Sequence, residues 1–143
     1  MPGYRSGFAA GDPAIIAALK RYRPNVGVAP QTFIQRAAAA AWADEEHVTE
    51  VRERYRSKRQ ALLPALLEAG LEASGGDASF FLWLRVPGDE DAESYALRLL
   101  EEHGIVIAPG PYFGPGGQGH VRIALVPTPE DCCRAAERLA SVA

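Results

Sequence analysis

Apolar positions along this chain recur with two different periods, and each period predicts an element. Val48, Val51, Tyr55, Leu62 and Leu66 follow three-and-four spacing, one stripe along a long helix. Asp44, Glu45 and Glu46 open that helix, and Arg52, Arg54, Arg56, Lys58 and Arg59 come later, an order that complements the helix dipole. Pro64 should kink or restart the helix and Gly70 should end it. Further on, Ser79 to Val86 is mostly aromatic and apolar, which predicts a buried strand stopped by Pro87-Gly88. Glu93 to His103 predicts an amphipathic helix with Tyr95, Leu99 and Leu100 inward, closed by Gly104. Ile105 to Ala108 then predicts a brief strand, Pro109 to Gly119 a loop, Val121 to Val126 a strand, and Pro129 to Val142 a last helix.

The first forty residues read differently. Gly3 to Gly11 is glycine-punctuated, like a strand flanked by turns. Asp12-Pro13 supplies an N-cap and first helical position for a helix running to about Tyr22, and Arg23 to Gly27 breaks it. Gln31 to Trp42 is alanine-rich and helical by propensity. The alternation of strand, helix, strand, loop, strand and helix in the second half predicts a two-layer α+β domain.

Composition narrows the function. The 143 residues are 48% hydrophobic and 23% charged, an ordinary globular mixture of about one domain's length. A net charge of −3 argues against a dedicated nucleic-acid binder, whose phosphate contacts need a basic excess. No run approaches the roughly 18 apolar residues of a membrane span. The opening residues have no apolar segment of a secretory signal, so a soluble, reducing, cytoplasmic setting is expected. Cys132 and Cys133 are adjacent and the three histidines are scattered, so no metal site is expected.

Few residues stand out as chemistry. Gly114 to Gly119 matches G-x-G-x-x-G, but a strand rather than a helix should follow it, so the stretch reads as a loop and not as a phosphate cradle. His47, His103 and His120 read as surface or capping residues, and the Arg52–Arg59 cluster, interleaved with Glu50 and Glu53, as a solvated helix face. Two arginines are more informative. Arg122 lies inside an apolar strand, where its charge needs a partner, and a planar guanidinium suits bidentate capture of a carboxylate or phosphate. From the residues alone, ligand capture and a structural salt bridge weigh equally for Arg122. For Arg5, between Gly3 and Gly7, the salt bridge is the better reading.

Taken in order, three blocks resemble one family. They are Gly3-Tyr4-Arg5-Ser6-Gly7-Phe8, Ile105 to Gly110 with Phe113-Gly114, and Val121-Arg122-Ile123-Ala124-Leu125. Together they resemble the fold-type I pyridoxal-phosphate aminotransferases of class I/II, over essentially the whole chain. The ending from Arg122 to Cys132 is most like the succinyldiaminopimelate aminotransferase branch, which serves lysine biosynthesis.

The resemblance implies that Arg5 binds the phosphate of pyridoxal 5'-phosphate and that Arg122 clamps the substrate's α-carboxylate. It implies amino-group transfer between an amino acid, best guessed as N-succinyl-L,L-diaminopimelate, and 2-oxoglutarate. Aspartate- and alanine-type substrates are the alternatives. It also implies a homodimeric parent enzyme that uses neither nucleic acid nor membrane. The family's Schiff-base lysine should lie about eight residues before the phosphate arginine, which places it ahead of Met1. Lys20 and Lys58 are the only lysines, and neither matches that motif. No catalytic residue is therefore expected within the chain, and no covalent attachment of the cofactor to it. The expected architecture is a remnant of the large cofactor-binding domain (1–43) followed by the C-terminal small domain (44–143), with a three- or four-stranded sheet covered by helices on one side. Met1 would then be an internal methionine of a longer parent. The competing expectation is a non-catalytic anion-binding or interaction fragment.

Overall fold

Leu82 and Leu84 are buried while Phe81, Trp83 and Arg85 are half-buried or exposed, the alternation of a strand with one covered face. That strand is an inner one of the sheet in the computed structural model, which describes residues 2–74 and 78–140. The described elements are helices α1 (Pro13–Tyr22), α2 (Thr32–Trp42), α3 (Glu45–Glu68), α4 (Ala92–His103) and α5 (Pro129–Leu139), with strands β1 (Glu72–Ala73), β2 (Phe81–Arg85), β3 (Ala108–Pro109) and β4 (His120–Ala124). The sheet has the order β1-β2-β4-β3 and is antiparallel throughout. This is the α+β architecture expected of the second half.

The chain divides into two compact units, Met1–Thr49 and Glu50–Ala143, with the division inside α3. The second unit holds nearly all the core. Leu62 and Leu66 of α3, Leu82 and Leu84 of β2, Tyr95 and Leu99 of α4, Val121 and Ile123 of β4, and Cys132 and Leu139 of α5 form one buried cluster. Its helices end where the sequence supplies caps. The Asp91 carboxylate accepts from the backbone N–H of Glu93 and Ser94, Gly104 closes α4 at φ 63°, and Thr128 and Asp131 form a reciprocal capping box.

In the first unit, Asp12 caps α1 by accepting from Ala14 and Ile15, and Phe8 packs edge-on against Trp42 at 4.8 Å. No residue of α1 is buried, and Ile15, Leu19, Tyr22, Phe33 and Trp42 stay exposed.

Several expectations need correcting. The opening residues make a 3-10 turn, Pro2–Tyr4, followed by irregular chain rather than a strand, since the described residues of that unit offer no second strand to pair with. Helix α3 continues through Pro64 without restarting, because Leu62 and Leu66 on either side are anchored in the core and the proline faces solvent. Leu100 is exposed, for Ala92, Tyr95 and Leu99 already fill the inward stripe of α4. The third strand begins only at Ala108, because the Ile105 N–H is used to close α4 on the Leu99 carbonyl. The last helix ends at Leu139, and residues 141–143 lie outside the described residues.

Lys58 is the largest surprise. It sits on the inward stripe of α3 between Tyr55 and Leu62, and its side chain is buried. Its Nζ donates to the carbonyls of Leu125 (3.2 Å) and Val126 (3.4 Å) and lies 5.2 Å from the Tyr55 ring centroid. Burial is tolerated because those oxygens give the group its partners.

Two outcomes follow. Lys58→Met keeps the stem but strips two carbonyls of their donor, so unfolding free energy should fall by about 1–3 kcal/mol in urea titrations; an unchanged midpoint would show that Nζ is replaceable there. The first unit exposes several large apolar side chains, and apolar surface left in water favours association. Light scattering should therefore find the full chain self-associating and a chain trimmed to residues 44–143 better behaved; a monodisperse full-length monomer at high concentration would contradict this.

Candidate functional site

Strand β4 turns Val121 and Ile123 into the core and leaves Arg122 on the opposite face, directly across from Trp83 of β2. There the guanidinium lies between two rings. Its central carbon is 4.3 Å from the Phe81 ring centroid and 4.2 Å from that of Phe113. Arg122 Nε is buried with no hydrogen-bond partner, and no acid pairs with Arg122 among the described residues. The salt bridge that the sequence allowed is not found among the described residues, and none of them gives Nε an acceptor.

The surroundings are aromatic and polar. The Trp83 ring meets Phe113 edge-on at 5.9 Å and stacks on His120 at 5.6 Å with planes 12° apart. His120 Nδ1 donates to the Gln118 carbonyl at 2.8 Å, which fixes that ring's tautomer. Beside Arg122 lies a cavity of about 350 Å³, lined in part by Arg59, Ser74, Ser79, Phe81 and Trp83. Arg59 donates to the carbonyls of Ala78 (2.8 Å) and Ser79 (3.1 Å). Ser79, at φ 81°, holds a left-handed backbone that is costly for a residue with a side chain, and its Oγ accepts from the Phe81 N–H at 3.1 Å.

The glycine-rich loop serves this geometry rather than a phosphate. Residues Gly110–Phe113 and Pro115–Gly117 form two 3-10 turns, and strand β4, not a helix, follows Gly119. The turns touch backbone to backbone, so that a Cβ on Gly117 would lie 2.0 Å from the Gly110 carbonyl oxygen. The expected loop is thus a tightly turned one, and it carries Phe113 to Arg122.

The other candidates have surroundings of their own. Arg5 follows the first 3-10 turn, is exposed, and has φ 53°, an unusual backbone for arginine. Lys20 is exposed on α1 and Lys58 is buried against carbonyls. His47 pairs with Asp44 at 3.0 Å and His103 lies 3.6 Å from Glu102. Cys132 is buried, and burial pushes its thiol up, which makes it a poor nucleophile. Among the described residues no cluster of His, Cys, Asp or Glu is placed to hold a metal ion, and no helix is long and apolar enough to cross a membrane.

The sequence and fold together have known counterparts. The profile of the family described as "Aminotransferase class I and II" matches residues 1–139. This chain belongs to that family. A probable aminotransferase of Mycobacterium tuberculosis is 42% identical over 97% of this chain and 32% of its own length. An LL-diaminopimelate aminotransferase of Natranaerobius thermophilus is 34% identical over 97% of the chain and 36% of its own length. Among solved structures, a probable N-succinyldiaminopimelate aminotransferase from Thermus thermophilus superposes with a TM-score of 0.77 at 32% identity, over 91% of this chain and 35% of that one. The chain spans about a third of the length of the relatives it matches.

For this aminotransferase-family chain, sequence reading found Arg122 but not the two rings that hold it. Phe81 was legible only as a strand residue, and Phe113 only as part of a family block. The cross-strand diagonal from Arg122 to Phe81 needs the register, which pairs Phe81 with Ala124. The Arg52–Arg59 stretch is a solvated face at Arg52, Arg54 and Arg56, whereas Lys58 and Arg59 turn to backbone carbonyls.

The loop contact yields a paired test. Gly117→Ala should cost about 1–3 kcal/mol of stability in denaturant titrations, because backbone must shift to admit the Cβ. Gly116→Ala, with nothing within 4 Å, should cost far less; equal effects would show that the close approach is unimportant.

Proposed function

We propose that this chain supplies the substrate-carboxylate and cofactor-phosphate arginines of a pyridoxal-phosphate aminotransferase. The single observation that carries the reading is the buried Arg122 Nε, without an acceptor, beside an open cavity. A carboxylate in that cavity accepts from the partly exposed Nη edge of the guanidinium, and bidentate pairing fixes the anion's plane as well as its position. Holding the carboxylate sets the orientation of the substrate's Cα, which is what selective labilisation of one bond at that carbon requires. When bound, the cofactor contributes an electron sink for charge developing at Cα.

The chain's own part is binding and orientation. Arg5, exposed and cationic at neutral pH, suits the phosphate of pyridoxal 5'-phosphate in the chemistry of its donors. Neither lysine suits covalent attachment: Lys58 Nζ is committed to two carbonyls, and Lys20 stands on an exposed helix. We assign residues 1–43 to a remnant of the large domain and 44–143 to the small domain. The near absence of buried residues in the first unit and the concentration of core in the second support this assignment. N-succinyl-L,L-diaminopimelate with 2-oxoglutarate is the substrate pair we favour, supported by the diaminopimelate-type names of two relatives. A homodimeric, cytoplasmic parent enzyme belongs to the same proposal.

A second reading keeps the anion-binding arginines but no chemistry, and it is favoured by the absence of a suitable lysine among the two present. The coding sequence preceding Met1 separates the two readings. An in-frame Ser-x-x-Lys block about eight residues ahead of Arg5 is expected for the enzyme; its absence would leave the binding module. In parallel, borohydride reduction of the chain mixed with pyridoxal 5'-phosphate should fix no stoichiometric adduct on Lys20 or Lys58. Such an adduct on either residue would overturn the division of labour described above.

A further inference from the structure

We propose that Phe81 and Phe113 are positioning residues for Arg122, two rings that hold its guanidinium in place for an anion. The proposal deepens the carboxylate reading of Arg122 and rests on it for its functional meaning. Its structural content stands on the contacts themselves. The central carbon of the cation lies over two rings, at 4.3 and 4.2 Å from their centroids. A guanidinium donates all its hydrogen bonds in its own plane, so ring contact with its π system takes nothing from its donor capacity. It does remove freedom. An arginine side chain ordered before the ligand arrives loses less entropy on binding, and cation–π attraction strengthens as water is excluded. Nε is buried and has no partner among the described residues, while the side chain as a whole stays partly exposed beside the cavity.

Each ring is itself held by features that have no other evident use. Phe81 follows the left-handed Ser79, whose Oγ accepts from the Phe81 N–H and whose carbonyl, with that of Ala78, accepts from Arg59. Its ring also packs on Phe80 at 4.3 Å, and Phe80 on Tyr55 at 5.7 Å. Phe113 ends the 3-10 turn that Gly110 pins against Gly117, and its ring rests edge-on to Trp83. A strained serine and a pinched glycine pair thus converge on one side chain.

Nitrogen NMR of the full chain reads the claim directly, because an arginine Nε–H gives its own signal, and loss of that signal in Arg122→Lys assigns it. In the wild type this proton should exchange slowly with water. Phe113→Leu and Phe81→Leu keep apolar bulk but lose the flat π face; each should speed exchange about fivefold or more, while Phe113→Tyr restores the slow rate. Backbone amide spectra report whether each variant stays folded, and Phe113→Tyr keeps the test open if a leucine variant does not. Titration with 2-oxoglutarate as probe should shift the Nε signal in the wild type and weaken about fivefold in the leucine variants. Unchanged exchange in folded leucine variants overturns the positioning role. Slow wild-type exchange that is lost in those variants, with no shift on adding 2-oxoglutarate, upholds the positioning role and instead removes the carboxylate reading.

Discussion

An N–H cut off from water and given no acceptor raises the free energy of the folded state, and Arg122 Nε is such a group in this chain. Much of the second unit's architecture is arranged around keeping it there. The alternation of β4 puts Val121 and Ile123 into the core and so forces Arg122 to the other face. Lys58 ties down the carbonyls of Leu125 and Val126 just beyond that strand, and the Leu125 N–H donates to the Phe80 carbonyl at 2.8 Å. The strand carrying Arg122 and the segment carrying Phe81 are therefore fastened at one end by the same few bonds. A buried donor left without a partner among the described residues is a feature that calls for an explanation.

The two units differ in energetic character. In the second, side chains from three helices and two strands meet in one buried cluster, the layer packing that makes a domain self-supporting. In the first, only Ala38 is buried among the described residues, while large apolar side chains of both helices remain in contact with solvent. Capping and propensity suffice to form those helices, but helices of 10 and 11 residues are marginal on that basis alone. That asymmetry accords with a chain that matches about a third of its relatives' length.

Much of this was legible in the sequence where local chemistry decides structure. Asp12-Pro13 marks a helix start and Gly104 a helix end, and each lies at the observed cap. The apolar run from Phe80 to Val86 gave β2 because aromatic and branched residues have few alternatives there. What was not legible depends on partners distant in the chain. Two-residue β1 has no alternation to detect, and the opening residues lacked a strand to pair with. Lys58 reads as solvated by type, yet two carbonyls 67 and 68 residues away make its burial possible. Arg122 could be singled out as a charge in an apolar strand, but its rings come from another strand and from a loop whose glycines resemble a different motif altogether.

The most direct test is a crystal structure of this chain with 2-oxoglutarate. The account predicts a carboxylate oxygen about 3 Å from an Arg122 Nη atom, in the guanidinium plane, with the Phe81 and Phe113 rings still against it. An anion bound elsewhere, or Arg122 turned away to pair with an acid of the protein, would contradict it.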